Sequence, residues 1–254
     1  MQIQGSKGIF VGGASGMCRA TAEQFAAKGG KVAILDLEKS DGANVAKALG
    51  GTFHVCNVMD YDGMEKVIGE AVAALGGLHF LVNTAGGGVA TRTLSKEGKK
   101  HPLADFRRIL DLNLVASFNI NCIGAEHMSK NEPNAEGERG LMINTASIAA
   151  FEGQIGQVAY TAAKGGIAAM TLTMARDLGG VGVRVMTIAP SLFDTGLTRG
   201  IPEAGAMQLT KDAAFPRRMG KPNEFATMAI AMFECAMMNG STVRVDGGQR
   251  FAPR

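Results

Sequence analysis

The chain has 254 residues, of which 46% are hydrophobic, and a formal net charge of +3. That length suits one large α/β domain with a core sufficient for independent folding, and a second domain is not expected. No stretch reaches the uninterrupted apolar length of a membrane span, and there is no basic helix or interleaved aromatic run, so neither a membrane nor a nucleic-acid partner is expected.

The opening residues MQIQGSK lead straight into KGIFV, which reads as a strand near 7–11. No signal or transit segment is read there, so a cytoplasmic setting is expected, or the mitochondrial matrix for a processed eukaryotic form. The strand gives way to GGASGMCRATAEQFAAKGG, a glycine-rich turn followed by a helical pattern near 16–28. Strand, turn and helix in this order form a nucleotide-binding unit. Gly12 and Gly16 let the backbone turn tightly and approach a pyrophosphate, and the helix start offers unpaired N–H groups and the positive end of its dipole. KVAILD, near 31–36, is a second buried strand that ends on Asp36, twenty residues after Gly16. A carboxylate there accepts hydrogen bonds from both ribose hydroxyls of an adenosine and repels a 2′-phosphate. With no arginine inside the glycine turn, NAD is favoured over NADP as the cofactor.

Further strands are expected near 52–56, 78–82, 140–145, 182–188 and 242–246, and further helices near 40–49, 62–75, 103–130, 157–178 and 222–237. This alternation predicts an α/β fold, a single doubly wound Rossmann domain whose seven-stranded parallel sheet is covered by helices on both faces. Residues 191–220 are the least regular and follow the sixth strand, where a substrate lid is expected. Cys18, Cys56, Cys122 and Cys235 lack CxxC spacing and read as free thiols, while His54, His79, His101 and His127 are scattered, so no metal site is expected. Met228, Met232, Met237 and Met238 recur at near-helical spacing, as core or subunit-interface filler does.

The run NTASIAAFEGQIGQVAYTAAK carries the chemistry. Tyr160 is followed four residues later by Lys164, and Ser147 stands thirteen residues before the tyrosine. Positions i and i+4 share a helix face, so the ammonium would lie beside the phenol and favour its anion. A free phenol titrates near ~10, so a tyrosine that passes a proton near neutrality needs such a neighbour. Ser147, just past an apolar strand, would hydrogen-bond a carbonyl or alkoxide oxygen during that exchange.

With both signals in this order, the chain resembles the short-chain dehydrogenase/reductase family from end to end. Gly12 and Gly16 match the family's GxxxGxG motif, with Cys18 at the third position; LVNTAG, residues 81–86, resembles its NNAG element through Asn83, Thr84 and Gly86. LDLNL places Asn113 at the family's helix asparagine, and Ser147, Tyr160 and Lys164 complete its catalytic tetrad. The resemblance implies that Lys164 bonds the nicotinamide ribose and that Asn113 supports a water chain returning the proton to solvent. Val11, Cys18, Asn57 and Ser191 depart from the family's usual residues on the cofactor side, from which a weaker NAD affinity is expected, although Asn57 can still offer its carbonyl oxygen to an adenine amino group.

Within the family, VATRTLSKEGKKHPLADF, NEPNAEGERGLMINTASIAAFEGQIGQ and ARDLGGVGVRVMTIAPSLFDT are similar to the 3-hydroxyacyl-CoA dehydrogenase type 2 group, also called 17β-hydroxysteroid dehydrogenase type 10, and its bacterial relatives. That likeness implies an acyl-CoA substrate, oxidation of (S)-3-hydroxyacyl-CoA in fatty acid metabolism, and a homotetramer built on the helices that begin near 103 and 157. It also places Gln154 in the substrate site, Phe193 and Thr195 at the nicotinamide, and Ser15, Met17, Asp36, Val58 and Thr84 at other cofactor positions. Lys96, Lys99, Lys100 and His101 form either a solvated loop or an attractor for coenzyme A phosphates. The alternatives are a dehydrogenase or reductase of a steroid, small ketone or acyl-carrier-bound substrate, and a nonenzymatic NAD-binding scaffold.

Overall fold

Short runs of Val, Ile, Leu and Phe, too short for helices and bounded by Gly or polar residues, form the strands of the computed structural model, which describes residues 1–196 and 202–253. In chain order the elements are β1 (Lys7–Val11), α1 (Gly16–Ala27), β2 (Lys31–Asp36), α2 (Gly42–Ala48), β3 (Thr52–Val55), α3 (Tyr61–Leu75) and β4 (Phe80–Asn83). The second half continues with α4 (Leu103–Leu110), α5 (Ala116–Ser129), β5 (Gly140–Thr145), α6 (Val158–Gly179), β6 (Val183–Pro190), α7 (Glu203–Thr210), α8 (Pro222–Glu234) and β7 (Thr242–Val245). The strands form one parallel seven-stranded sheet in the order β3-β2-β1-β4-β5-β6-β7. The chain thus reverses its winding between β1 and β4, and the crevice outside their carboxyl ends is where ligands of such sheets bind.

Because every strand is covered on both faces, alternate residues feed two cores. Ile9 and Val11 of β1 pack with Met64 and Ile68 of α3 and Ile120 of α5. Phe10 points the other way, into Phe25 of α1, Phe80 of β4 and Phe233 of α8. Those four rings meet edge-on or tilted, with centroids 4.8 to 5.9 Å apart. Each ring contributes about 1.5–3 kcal/mol by burial. A buried ion pair secures the far end of α8: Arg184 bonds Glu138 and donates to the carbonyls of Met232 and Phe233, in the last turn of the helix, and to that of Met238 in the segment beyond it.

Two elements differ from expectation. The helix expected over 103–130 is interrupted by a π-helical turn at Asp111–Val115. Its cause is Asn113, whose Nδ2 donates to the Ile109 carbonyl one turn back, at 2.9 Å, and to the Gly87 carbonyl at 2.8 Å. The side chain inserts into the helical ladder and the backbone widens around it. The second is α7, which forms in EAGAMQLT within the stretch expected to be irregular. Ala, Glu, Met, Gln and Leu are good helix formers, and Pro202 ahead of them starts the turn. Of the lid expected over 191–220, residues 197–201 lie outside the described residues.

Candidate active site

The glycine turn joins β1 to α1. Gly12 has φ +82° and Gly16 φ +56°, backbone that side-chain-bearing residues rarely adopt. A Cβ on Gly12 would stand 3.0 Å from Thr84 Oγ1 and 3.1 Å from the Ala85 nitrogen, closing the space above the turn. Ser15, at the N-cap of α1, makes no side-chain cap bond, and no acidic residue occupies the first turn, so the helix start is open to an anion. Asp36, at the end of β2, is fixed by the Ala14 N–H, which donates to Oδ2 at 3.0 Å, and by the Leu37 N–H, which donates to Oδ1 at 2.8 Å. Each carboxylate oxygen retains a lone pair for a further donor. Together these features fit the pyrophosphate and ribose of a dinucleotide.

The turn opens on a cleft of about 370 Å³ whose walls include Asp36, Asn57, Val58, Thr84, Gly86 and Thr195. Asn57 closes a turn by accepting the Met59 N–H at 3.1 Å. Asn83 lies behind the wall rather than on it: it is buried, accepts the Ala85 N–H at 3.0 Å and donates to Ser117 Oγ at 3.0 Å. Cys18 does not face the cleft either. It is fully buried between α1 and the sheet, with Sγ 3.4 Å from the Val11 carbonyl oxygen, and burial pushes its thiol pKa well up.

Met17, Thr84, Gly86 and Thr195 also border a second cleft of about 250 Å³, so the two are continuous. Ser147, Tyr160, Lys164 and Phe193 line this second space. Ser147 arrives from the end of β5 and caps a short 3₁₀ turn, Ile148–Ala150, by accepting the Ala149 N–H at 3.2 Å. Tyr160 and Lys164 come from the first turns of α6, where the ammonium lies 5.7 Å from the phenol ring centroid. Lys164 is buried, donates to the Thr145 carbonyl at 2.8 Å, and has its pKa lowered to about 8 by burial. Burial also raises the Tyr160 pKa, with the Ser147 hydroxyl opposing that shift through a hydrogen bond. The expectation of a lowered phenol pKa is therefore reversed in the protein alone, because loss of hydration outweighs the favourable contacts. Asn113 does not line either cleft; its Oδ1 accepts the Gly87 N–H at 3.2 Å, holding the glycine strip that runs past Tyr160.

Gln154 is set apart from the other site residues. Its Nε2 donates to the Ala252 carbonyl at 3.1 Å and it borders a separate surface hollow with Arg92 and Ile155, while Gln157 lines the catalytic cleft. Sequence reasoning passed over Gln157 and Phe251, which line that cleft, and the buried ladder Ser117–Asn121–Asn144 behind it. Asn113, Ser117 and Asn121 recur every fourth residue on one helix face, a spacing visible in the sequence, and all three are buried. Among the described residues no cluster of His, Cys, Asp or Glu is placed to hold a metal ion, and no helix is long and apolar enough to cross a membrane.

A parallel sheet whose glycine turn and acidic strand end adjoin a serine, tyrosine and lysine defines an oxidoreductase that works with a nicotinamide coenzyme. The chain belongs to the short-chain dehydrogenase/reductase family: a family profile described as enoyl-(acyl carrier protein) reductase matches residues 12–250. It is 43% identical to human 3-hydroxyacyl-CoA dehydrogenase type-2 over 254 residues, 99% of this chain and 97% of the relative. Similarity to 3-oxoacyl-[acyl-carrier-protein] reductase FabG of Thermotoga maritima is 29% over 98% of this chain and 99% of that one. Among solved structures, 3-hydroxyacyl-CoA dehydrogenase type-2 from Mycobacterium avium superimposes with a TM-score of 0.94 at 36% identity, with all of both chains covered.

Proposed function

We propose that the chain is an NAD-dependent dehydrogenase that interconverts (S)-3-hydroxyacyl-CoA and 3-oxoacyl-CoA. The observation that carries this reading is the continuity of the two clefts, which sets Ser147, Tyr160 and Lys164 at one end of a groove whose other end is Asp36. The preference for NAD rests on that carboxylate, which repels a 2′-phosphate. The thioester substrate rests on the likeness to the human and Mycobacterium avium 3-hydroxyacyl-CoA dehydrogenases.

When bound, the nicotinamide ring accepts or gives the hydride. The remaining work belongs to the protein. Ser147 Oγ donates a hydrogen bond to the substrate oxygen and fixes it beside the phenol. In oxidation the Tyr160 phenolate takes the hydroxyl proton as the carbinol hydride leaves; in reduction the phenol returns it. Lys164 stabilises the phenolate across one helical turn, with its ammonium held in place by the Thr145 carbonyl. Asn113 fixes Gly87 at the cleft edge, near the route by which the proton reaches solvent. The apolar Phe118 and Leu172, exposed on α5 and α6, support a homotetramer packed through those helices. A cytoplasmic or mitochondrial-matrix setting agrees with this chemistry.

A second reading, reduction of an acyl-carrier-bound 3-oxo group, draws on the Thermotoga maritima relative; the family profile's description shares with it only the acyl carrier. Steady-state reduction of acetoacetyl-CoA, of the matching acyl-carrier thioester and of a steroid ketone, each with NADH and with NADPH, separates the readings. Turnover of acetoacetyl-CoA with NADH is expected to be fastest. No turnover of any thioester overturns the substrate assignment, and a preference for NADPH overturns the cofactor assignment.

A further inference from the structure

The segment after β7 is fastened on both sides of one aromatic ring. Arg244, in β7, sends Nε to Asp246 Oδ2 at 2.6 Å, and Nη1 and Nη2 to the two Glu152 oxygens at 2.7 and 2.9 Å. Its Nη2 also reaches the Gln249 carbonyl at 2.9 Å, and its guanidinium stands 5.2 Å from the Phe151 ring centroid. Glu152 is five residues beyond Ser147, so this fork ties β7 to the turn that carries the serine. Gln249 is buried and donates from Nε2 to the Leu209 carbonyl in α7 at 2.7 Å. Three and four residues further on, the Ala252 carbonyl accepts Gln154 Nε2 at 3.1 Å and the Pro253 carbonyl accepts the Ile155 N–H at 3.1 Å. Between these anchors Phe251 lines the catalytic cleft beside Leu192, Phe193 and Tyr160.

Resting on the substrate class proposed above, the geometry points to Phe251 as the residue that sets how large an acyl chain the cleft admits, with Arg244, Glu152 and Gln154 as the positioning residues that hold it there. Three features lead to this assignment. The ring comes from the segment after β7, not from the glycine turn or the loop after β6, so its size can change without disturbing the Asp36 cleft, which it does not line. The bidentate Arg244–Glu152 fork is a rigid link that a surface ion pair would not provide, and it is only partly exposed. Gln249 fastens the same segment to α7 through the Leu209 carbonyl, a further anchor on the side of Phe251 opposite to Gln154 in the chain. Gln154 thus acts on substrate through the segment it holds.

The test is a chain-length profile. Reduction of acetoacetyl-CoA, 3-oxooctanoyl-CoA and 3-oxododecanoyl-CoA is measured for the native protein, Phe251→Ala and Phe251→Trp, with NADH affinity read by fluorescence titration. The alanine variant is expected to raise the long-to-short ratio of kcat/KM about tenfold and the tryptophan variant to lower it by a similar factor, with NADH affinity kept within about twofold. Arg244→Met is expected to reproduce the loss of discrimination as a rise in KM larger than the fall in kcat, and Arg244→Lys to restore part of it. If both Phe251 variants bind NADH normally and keep the native ratio, the assignment is overturned; an unchanged ratio in Arg244→Met removes the positioning role. Should the native protein reduce no thioester, the substrate class falls, and the same ratio is measured on a size-graded series of whichever ketones it does reduce. Insensitivity to Phe251 there overturns the present assignment on its own.

Discussion

The Lys164 ammonium stands 5.7 Å from the Tyr160 ring centroid, and burial acts on the two groups in opposite directions. It raises the phenol pKa and lowers that of the ammonium to about 8. Both shifts favour the neutral pair, as expected for two groups withdrawn from water with few charged neighbours. Proton exchange near neutrality would therefore need further positive charge beside the phenol, which an oxidised nicotinamide would supply if it bound in the adjoining cleft. On the function proposed above, the base would become competent once the coenzyme is in place.

The first prediction concerns pH. Because the Tyr160 pKa is raised, the phenol is protonated at neutrality and alcohol oxidation, which needs the phenolate, is expected to accelerate as pH rises. Reduction, which needs the phenol, is expected to hold its rate toward lower pH. Initial rates in both directions across the pH range check this, and parallel profiles would contradict it. Tyr160→Phe is expected to lower turnover at least about 100-fold while leaving NADH binding intact; a variant that still turns over removes Tyr160 from the role of acid and base.

A second prediction is that Lys164→Met stabilises the fold while abolishing activity. The ordinary value of 10.5 falls to about 8 in the folded chain, so between those values the unfolded chain binds more protons and stability rises with pH. Below about 8 the whole penalty for burying the ammonium is present, on the order of 3 kcal/mol. Methionine removes it but leaves the Thr145 carbonyl without its donor, a loss of about 1 kcal/mol. The net gain is expected to raise Tm by several degrees at neutral pH, at about 2–4 °C per kcal/mol, and to shrink toward pH 10. Calorimetry showing a lower Tm at neutral pH would mean that Lys164 is a net structural support.

How much was legible beforehand depends on whether the cause was local. β1, β2 and β5 have the expected bounds because their apolar runs stop at glycine or polar residues, and a parallel sheet follows from the alternation of strand and helix. The convergence of Ser147, Tyr160 and Lys164 on one cleft was foreseeable, since one strand end and one helix face suffice to gather them. The π turn was not, because Asn113 distorts its helix partly by reaching Gly87, twenty-six residues away. Nor was the position of Gln154 outside the catalytic cleft: it bonds Ala252, ninety-eight residues away, and no spacing rule anticipates that partner. Asn83 matches a motif position but bonds Ser117 of a neighbouring helix, a direction that only packing decides.

The third prediction is that restoring the missing glycine of the turn does harm. Cys18 is fully buried with its Sγ against the Val11 and Val82 carbonyls, so Cys18→Gly removes packed volume from the core and places glycine within α1. Helix propensity alone gives a loss of about 0.5–1 kcal/mol and the emptied space adds to it. A Tm lower by several degrees with unchanged NADH affinity is expected from calorimetry and titration. A gain in affinity would show that the cysteine obstructs the cofactor side after all.

Asp36 offers the sharpest test of cofactor choice, because its orientation is already determined by the Ala14 and Leu37 N–H groups before any ribose arrives. Asp36→Ala removes both acceptors and the charge, and is expected to raise the KM for NADH about 10- to 100-fold, the worth of one or two hydrogen bonds to a charged group. The same change removes repulsion from a 2′-phosphate, so KM for NADPH should rise less and the NADH preference should narrow. Asp36→Asn separates the two effects: it keeps an acceptor near the turn but carries no charge, and so should retain more NADH affinity than alanine while relaxing the discrimination as far. High salt, which screens exposed charge, should relax discrimination in the native protein and leave both variants little changed. If the NADH-to-NADPH ratio is the same in all three proteins, selection between the coenzymes lies elsewhere in the groove.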